Sequence, residues 1–423
     1  MAGLALPVTK ELFYSILIML SFGPKKCYLQ RSEEFGSLNE VVLWKRGDHG
    51  VSDYRIPLIT SLPDGSLIAL AEARKHSSSD SGPKFLAMRQ SRDQGVTWTN
   101  TTFIEDDQEA TDGLNLGSIV VDEITKSVFV MYSFCIHKCK YATTYVIRSD
   151  DNGQSWTMPK NISQQLGGLQ FAPGPGYGIQ VECSSPKGYQ VEYSSPKCYQ
   201  VECSSPKGYQ VEYSSYKGYQ VEYSSPKGYQ KALDPWKGRL IICGHSIGKT
   251  EGLYCVASDD HGNSWHRTAE LPRTNQFDPN ECQMIEQSDG VVLLSARNQQ
   301  HEECRCRMMA KSYDGCETFA HSDIYYDHTL IDPTVAASLL NWKYTVYFSN
   351  PASRTLRVNM TVRVSGDMGE TWKGLRPIWQ GPSGYSCLSG IPTSQGNDSY
   401  IGLAFEKGLI SPYESITFVK LRV

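Results

Sequence analysis

The stretch Ser91–Trp98 reads SRDQGVTW, and its pattern, Ser-x-Asp-x-Gly-x-(Ser/Thr)-Trp, returns along the chain. In such a stretch the aspartate accepts hydrogen bonds from its own turn, the glycine supplies an unusual backbone angle, and the tryptophan packs between strands. We therefore interpret the aspartates as turn formers rather than as catalytic acids. The later copies are SDDNGQSW (Ser149–Trp156), SDDHGNSW (Ser258–Trp265), the degraded SYDGCETF (Ser312–Phe319) and SGDMGETW (Ser365–Trp372).

The spacing of these copies indicates the architecture. Their starts are separated by 58, 109, 54 and 53 residues, and the long interval shortens to 59 when a 50-residue block of another repeat is left out. A period of 53–59 residues with one turn motif per unit is typical of four-stranded propeller blades. Without the block and about 30 N-terminal residues, roughly 340 residues remain, enough for six units. The sequence therefore predicts an all-β fold, a six-bladed β-propeller.

The block at 181–230 consists of five copies of a decapeptide, VE(C/Y)SSPKGYQ, with small variations. Its Pro-Lys-Gly is a turn signal, and between turns Tyr189, Val191 and Tyr193 alternate with polar residues as they would in a strand. A small β-meander and a polar insertion without regular structure are both compatible with this pattern. In either case we predict an insertion into one loop of one blade.

Composition excludes some classes of function. The net charge of −4 lacks the basic excess that binding to nucleic-acid phosphates requires. With 40% hydrophobic and 20% charged residues, the chain can bury a large core. No apolar run reaches the ~18 residues that a bilayer-spanning helix needs.

The N-terminal region carries a secretory pattern. Residues 12–22, LFYSILIMLSF, form an apolar run after Lys10 whose length fits a signal peptide better than a membrane span. We predict a signal peptide within 1–30 and a single propeller domain over 31–423, interrupted at 181–230; a buried N-terminal helix or strand is the alternative. Four glycosylation sequons support the secretory route, at Asn100, Asn161, Asn359 and Asn397.

The thirteen cysteines are an odd number. Two close pairs, Cys135/Cys139 and Cys304/Cys306, stand near histidines, but neither has the CxxC spacing typical of zinc sites. We therefore predict disulfides or buried thiols rather than a metal site, and we predict no cofactor.

Further segments carry a resemblance to a known family. Tyr54–Pro57 reads YRIP, and it is followed by AEARKHSSSD (71–80), DGLNLG (112–117), FAPGPGYGIQ (171–180), FDPNECQ (277–283), SARN (295–298), GPSGYS (381–386) and FEKG (405–408). Together with the turn motifs, which are the Asp boxes of sialidases, they resemble the lysosomal sialidase family, of the neuraminidase-1 type, from about Leu43 to the C-terminus. The resemblance implies hydrolysis of terminal α-linked sialic acids from glycoproteins, oligosaccharides and glycolipids.

The resemblance also implies roles for binding residues. Arg55, Arg297 and Arg357 match the three arginines that bind the carboxylate of sialic acid, and guanidinium forks suit a carboxylate because they bind it bidentately. Glu406 matches the acid that orients Arg55. Arg74 matches a further arginine that contacts the sugar, and Asn115 is a candidate contact to its N-acyl or glycerol side.

Three residues match the catalytic positions of the family. Tyr385 matches the nucleophile, and a neutral phenol avoids the repulsion that a carboxylate nucleophile would meet from the substrate carboxylate. The ordinary pKa of tyrosine is about 10, so the phenol needs a base, and Glu281 matches it. Asp80 matches the acid/base that protonates the leaving oxygen and later activates water.

Two other functions use the same fold. A non-catalytic sialic-acid-binding propeller would need the arginines but not Tyr385, Glu281 or Asp80, and a transglycosylase would differ only in how well it excludes water. The resemblance implies a cathepsin A-like serine carboxypeptidase and a β-galactosidase as partners, and it leaves membrane-surface association and homo-oligomerisation open. It also implies a lysosomal location reached through the secretory pathway, with the cell surface or secretion as alternatives. The ending FVKLRV lacks the tyrosine-based sorting tail of the lysosomal family.

Overall fold

A computed structural model describes residues 40–135, 142–182, 236–246, 252–299, 304–393 and 398–423. The predicted signal peptide and all but the first two residues of the decapeptide block lie outside the described residues. Asn39–Val423 cluster as one unit. No helix in the described part of the chain has the length and apolarity to cross a bilayer.

Strands make up nearly all of the regular structure. In chain order they are β1 (Glu40–Lys45), β2 (Asp53–Ser61), β3 (Leu67–Arg74), β4 (Lys84–Ser91), β5 (Thr102–Asp106), β6 (Leu114–Asp122), β7 (Ser127–Phe134), β8 (Thr143–Ser149), β9 (Lys160–Asn161), β10 (Phe171–Pro173), β11 (Gly176–Tyr177), β12 (Ile179–Gln180), β13 (Leu240–Ser246), β14 (Gly252–Ser258), β15 (His266–Pro272), β16 (Pro279–Glu286), β17 (Val292–Asn298), β18 (Cys306–Ser312), β19 (Tyr325–Ile331), β20 (Ser338–Trp342), β21 (Thr345–Pro351), β22 (Val358–Ser365), β23 (Lys373–Ile391), β24 (Tyr400–Lys407) and β25 (Ser415–Arg422). Two single 3-10 turns, Asp48–Gly50 and His321–Asp323, accompany them.

Most strands pair antiparallel with their sequence neighbours, which is the propeller-like, all-β arrangement that the repeat predicts, and β11 pairs parallel with β6. Four sheets are β2–β3–β4–β5, β6–β7–β8–β9 with β11 beside β6, β10–β13–β14–β15 with β12 beside β13, and β16–β17–β18–β19. The fifth has seven strands in the order β1–β25–β24–β23–β22–β21–β20. Because β1 pairs with β25, the first described strand completes a sheet built from the last ones.

The seven-stranded sheet differs from the predicted blades, since it is larger than four strands. The sheet is larger because one of its strands, β23, is 19 residues long and belongs to two sets of strands. This strand pairs with β22 as far as Pro382 and with β24 from Ser383 onward. The described residues thus form five hydrogen-bonded sheets rather than six.

The apolar core lies between neighbouring sheets. Residues of β3 and β4 such as Ile68 and Met88 pack against Ile119 and Val130 of the next sheet, and four similar clusters join the other neighbouring pairs. Each sheet therefore buries both of its faces, which explains strands such as LIALAEAR that are apolar on both sides.

The Asp boxes form the predicted turns. Asp93 Oδ1 accepts hydrogen bonds from the Ser91 hydroxyl and from the Thr97 backbone N–H, both at 2.8 Å, and the other four copies repeat this pattern. In four of the copies the turn joins the third strand of a sheet to the next strand in the chain. In the fifth copy it joins β22, the third strand counted from the β20 edge of the seven-stranded sheet, to β23. The degraded copy has Cys316 at the glycine position with φ of 63°.

Candidate active site

Residues that are far apart in the sequence meet around the phenol of Tyr385. Its hydroxyl donates a hydrogen bond of 2.5 Å to Glu281 Oε1 and accepts one of 3.1 Å from Arg297 Nη1. The guanidinium carbons of Arg55 and Arg357 lie 5.5 and 5.4 Å from the centroid of the Tyr385 ring. Three arginines, one tyrosine and one glutamate therefore share a single site.

Breaks in the strand pairing direct these side chains toward the shared site. The ladder between β2 and β3 breaks between Arg55 and Leu58, and Ile56 has φ of 58°, an unusual value for a β-branched residue. The ladders also break between Pro279 and Cys282, around Glu281, and between Ser383 and Ser386, around Tyr385. β-Bulges re-aim side chains and are common beside active sites.

Glu406 on β24 connects Arg55 with the backbone of Tyr385. Its Oε1 accepts 2.6 and 3.1 Å hydrogen bonds from Arg55 Nε and the Ile56 backbone N–H, and its Oε2 accepts a 2.9 Å bond from the Tyr385 backbone N–H. A side chain at Gly384 would lie 2.1 Å from Glu406 Oε2, so glycine is required there. The buried carboxylate of Glu406 thus aligns two of the bulges at once.

Charges in the site shift the acidity of its members. Burial opposes ionisation of Glu281, but the charge of Arg297 and hydrogen bonds from Tyr385 and Arg297 outweigh it and lower the pKa of Glu281. Burial and then the negative charge of Glu281 raise the pKa of Tyr385 far above its usual value, although the three arginines oppose the rise. The pair therefore stands as a neutral phenol beside a carboxylate.

Arg74 and Asp80 belong to a second group of contacts, whereas the Asn115 side chain donates a 3.4 Å hydrogen bond to the Gly113 carbonyl. Arg74 Nη2 lies 3.0 Å from Glu72 Oε2 and 2.9 Å from Asp80 Oδ1. Glu72 Oε1 accepts a 2.9 Å hydrogen bond from the Leu116 backbone N–H, beside Asn115 on β6. The side chain of Asp80 is 68% exposed, on the loop between β3 and β4, so an acid faces solvent next to two buried charges.

The cysteine pair Cys304/Cys306 forms a disulfide. His328 lies close enough to complete a possible three-ligand metal group among the described residues. The two sulfurs bond to each other, however, and so are not the thiolates that zinc requires. Cys135 is also disulfide-bonded, whereas Cys243, Cys255, Cys282, Cys316 and Cys387 are buried free thiols.

Comparison with known proteins reveals similarity to one group of proteins over most of the chain. Two family models, each described as a BNR repeat-like domain, match residues 56–187 and 221–400. A curated sialidase of Micromonospora viridifaciens is 27% identical over 393 residues, which cover 86% of this chain and 51% of that protein. A sialidase of Bacteroides fragilis (strain YCH46) is 22% identical over 430 residues, covering 92% of this chain and 67% of that protein. Over most of its length, this chain is similar to sialidases with BNR repeats.

The chain spans about half the length of the Micromonospora protein. Among solved structures, the Hadza microbial sialidase Hz136 superposes with a TM-score of 0.68 at 23% identity, covering 91% of this chain and 68% of the other. The intramolecular trans-sialidase of Ruminococcus gnavus, in complex with oseltamivir carboxylate, gives 0.64 at 16% identity, covering 90% and 96%. At these identities the superpositions establish a shared fold.

Sequence reasoning missed two residues of the site. Glu72 has a signal in the sequence, because it precedes Arg74 by two positions on one strand and so shares its face. Tyr413 has none. It lies in the turn between β24 and β25, where Arg357 Nη1 donates a 2.9 Å hydrogen bond to its hydroxyl.

Proposed function

We propose that this protein is an exo-α-sialidase, a glycoside hydrolase that releases terminal α-linked sialic acid with retention of configuration. The observation that carries the proposal is the contact of one phenol, Tyr385, with both a carboxylate, Glu281, and a guanidinium, Arg297. A buried tyrosine needs no such pair for packing. A tyrosine nucleophile needs a base within hydrogen-bond reach, and its substrate carboxylate needs cations.

Arg55, Arg297 and Arg357 bind the carboxylate of the substrate in this scheme. Their side chains surround Tyr385, which keeps the anionic carboxylate beside the anomeric carbon that the phenol attacks. Glu406 compensates Arg55, since the carboxylate raises the pKa of that guanidinium against the effect of burial.

The reaction has two steps. In the first, Asp80 gives a proton to the glycosidic oxygen as the bond from that oxygen to the anomeric carbon breaks, and Tyr385 Oη bonds to the carbon while its proton passes to Glu281. In the second, water loses a proton to Asp80 and attacks the same carbon. The bond to Tyr385 then breaks, and the phenol recovers its proton from Glu281.

Arg74 holds Asp80 next to the leaving group in this mechanism. Asp80 contacts Arg74 on an exposed loop that water can reach, so the carboxylate left after the first step can take the proton of the attacking water in the second. Asn115 stays a predicted contact to the sugar's N-acyl or glycerol side, because it lies on β6 next to the residue that bonds Glu72.

We further infer six blades. Division of the seven-stranded sheet within β23 leaves β20–β21–β22 with the first part of β23, and the second part of β23 with β24–β25–β1. With the four other sheets, this makes six units of four main strands, two of which also carry a short extra strand, β11 or β12. β25 and β1 are the last and the first of the described strands, so no turn joins them directly, and this accounts for five Asp boxes instead of six.

Membership of the lysosomal, neuraminidase-1 type, a lysosomal location and complexes with the carboxypeptidase and β-galactosidase remain proposals that rest on the segment resemblance. Co-purification of these two enzymes with the tagged protein tests the partnership. The substrates proposed are sialylated glycoproteins, oligosaccharides and glycolipids.

Release of a fluorogenic sialoside at acid pH tests the activity, with Tyr385→Phe and Asp80→Ala as variants. The expected result is turnover by the wild type and a loss of at least about a hundredfold in each variant. Tyr344→Phe is the control, since Tyr344 is 76% exposed on the β20–β21 turn. Undiminished turnover by Tyr385→Phe would overturn the nucleophile. Binding of sialic acid without turnover by the wild type would support the binding propeller instead.

A further inference from the structure

Tyr413 lies between two of the three arginines. The guanidinium carbon of Arg55 lies 3.9 Å from the centroid of the Tyr413 ring, within cation–π range. The hydroxyl of the same ring accepts a 2.9 Å hydrogen bond from Arg357 Nη1. One side chain therefore contacts two cations through two different parts of its structure.

The turn that carries Tyr413 has a defined shape. The carboxylate of Glu414 accepts hydrogen bonds of 2.8–3.0 Å from the backbone N–H groups of Leu409, Ile410 and Ser411. A side chain at Gly408 would lie 1.8 Å from the Ser411 carbonyl oxygen, so only glycine fits there. The turn is thus held by its own hydrogen bonds.

The same turn is also anchored to the rest of the fold. The Gly408 backbone N–H donates to the Pro382 carbonyl in the segment that leads to Tyr385, and the Arg46 N–H donates to the Glu414 carbonyl. Hydrogen bonds within the turn and to the rest of the fold therefore fix the position of Tyr413.

Arg357 depends on its contact with Tyr413 more than Arg55 does. Arg55 has Glu406 as a charged partner at 2.6 Å. The hydrogen bonds of Arg357 to described residues go to neutral oxygens, the Tyr413 hydroxyl and, at 3.3 Å, the Thr334 carbonyl. Two guanidinium groups at one site repel each other, and a ring face with a hydroxyl acceptor offsets that repulsion without neutralising either charge.

We propose that Tyr413 is a positioning residue that sets the spacing of Arg55 and Arg357 for the carboxylate of sialic acid. This inference rests on the proposed sialidase function. Because the effect of Tyr413 acts on carboxylate binding, its loss changes substrate affinity more than the chemical step.

The test compares Tyr413→Phe, which removes only the hydroxyl, with Tyr413→Leu, which also removes the ring face. The measurements are KM and kcat for a fluorogenic sialoside, and the Kd of 2,3-didehydro-2-deoxy-N-acetylneuraminic acid by calorimetry. We expect Tyr413→Phe to raise KM and Kd by about tenfold, the typical effect of losing a hydrogen bond to a charged group, while kcat changes by less than about threefold. Tyr413→Leu should weaken binding further.

Two controls separate this inference from the proposed function. Tyr400→Phe removes a hydroxyl that donates to Asp398 at the opposite end of the same strand pair, and it should leave KM unchanged. In an Arg357→Ala background, Tyr413→Phe should have little further effect, because the two residues act together.

Unchanged KM and Kd in Tyr413→Phe, or a lower melting temperature with unchanged KM, would overturn the role of Tyr413. If the wild type turns over the sialoside and Tyr385→Phe does not, that result leaves the sialidase function intact. If the wild type has no turnover, calorimetry on the same variants still tests the spacing of the arginines.

Discussion

At the scale of single residues, each carboxylate of the site binds several partners at once. Glu406 joins Arg55 to the backbone of Tyr385, and Glu281 joins Tyr385 to Arg297. Glu406 is fully buried and Glu281 is mostly buried, and each contacts a cation. Removing one partner leaves the other as an uncompensated buried charge, which is strongly unfavourable.

Glu406→Gln tests the first of these carboxylates. The amide removes the negative charge that faces Arg55, so we expect kcat/KM for a fluorogenic sialoside to fall by about tenfold to a thousandfold. Glu370→Gln is the control, because Glu370 makes an exposed ion pair with Lys311. Equal activity in both variants would contradict the orienting role.

The lowered pKa of Glu281 leads to a prediction about pH. Glu281 accepts a proton only when it is ionised, so a lowered pKa should keep the proposed sialidase active below the range of an ordinary glutamate, about pH 4.3. Arg297→Gln removes the main stabilising charge and should move the acid limb of the kcat/KM profile upward. An acid limb that stays in place in this variant would contradict the assignment.

The same shift affects stability. A group with a lowered pKa in the folded state stabilises the fold above its unfolded pKa, and this stabilisation is lost as pH falls through the folded value. Ionised Glu281 therefore contributes to stability above about pH 4.3 and ceases to do so in stronger acid.

At the scale of elements, the Asp box serves both its own turn and the neighbouring sheet. A side chain at Gly262 would lie 2.3 Å from the Phe129 ring of the preceding sheet, and one at Gly95 would lie 2.2 Å from Phe418. The glycine is thus needed twice, for its backbone angle and for close packing between sheets.

Gly262→Ala should lower the free energy of unfolding by about 2–4 kcal/mol, through overpacking against Phe129 and a φ of 80°. Gly366→Ala is the matched control, because Gly366 lies in another Asp box and has open space around it. Denaturant unfolding measures both. Similar losses would show that packing between sheets is not the reason for the glycine.

The decapeptide insertion begins at a defined edge. The Val181 backbone N–H donates to the Arg239 carbonyl, and the Gly238 N–H donates to the Val181 carbonyl, so the chain leaves and returns between paired strands. Leu240 pairs with Ser258, the first residue of an Asp box. The insertion therefore leaves the fold at the Asp-box end of the strands. In the next sheet the Asp-box serine, Ser312, pairs with Val292 at one end of β17, and the site residue Arg297 lies at the other end of β17.

Deletion of residues 183–230 should therefore leave the melting temperature unchanged and kcat/KM for a small sialoside within about twofold of wild type, as expected for a surface insertion. Differential scanning calorimetry and the fluorogenic assay measure these. Loss of folding would show that the insertion belongs to the core, and an altered KM would show that it reaches the active site.

At the scale of the whole molecule, the first described strand completes the last sheet. Trp44 on β1 is fully buried, stacks on Tyr54 of the neighbouring sheet at 5.8 Å, and donates a 3.0 Å hydrogen bond to Thr101. β1 thus links the C-terminal sheet to the sheet that contains Arg55. By joining these two sheets, β1 helps to hold Arg55 of one sheet next to Glu406 of the other.

Trp44→Ala should lower the free energy of unfolding by about 3–5 kcal/mol, the usual cost of deleting a buried aromatic side chain. Val42→Ala, on the same strand but 40% exposed, is the control and should cost less than about 1 kcal/mol. Equal effects in urea unfolding would contradict a role for β1 in joining the two sheets.

Sequence and structure differ in what each reveals about the site. The arginines, Tyr385 and Glu281 stand in short motifs and were predicted from a resemblance, whereas Tyr413 stands in no motif. The long strand β23 was also not foreseen, because nothing local to residues 373–391 tells a continuous strand from two strands joined by a bend.

The sequence by itself determined the turns, the strand repeat and therefore the all-β class, because an Asp box is stabilised by hydrogen bonds within eight residues. The tertiary structure alone decided that Tyr413 lies between two arginines, and it alone gives the distance at which Arg55 meets Glu406, 351 positions away. Such contacts depend on how whole sheets pack around one site, and no short stretch of sequence contains the distances between sheets.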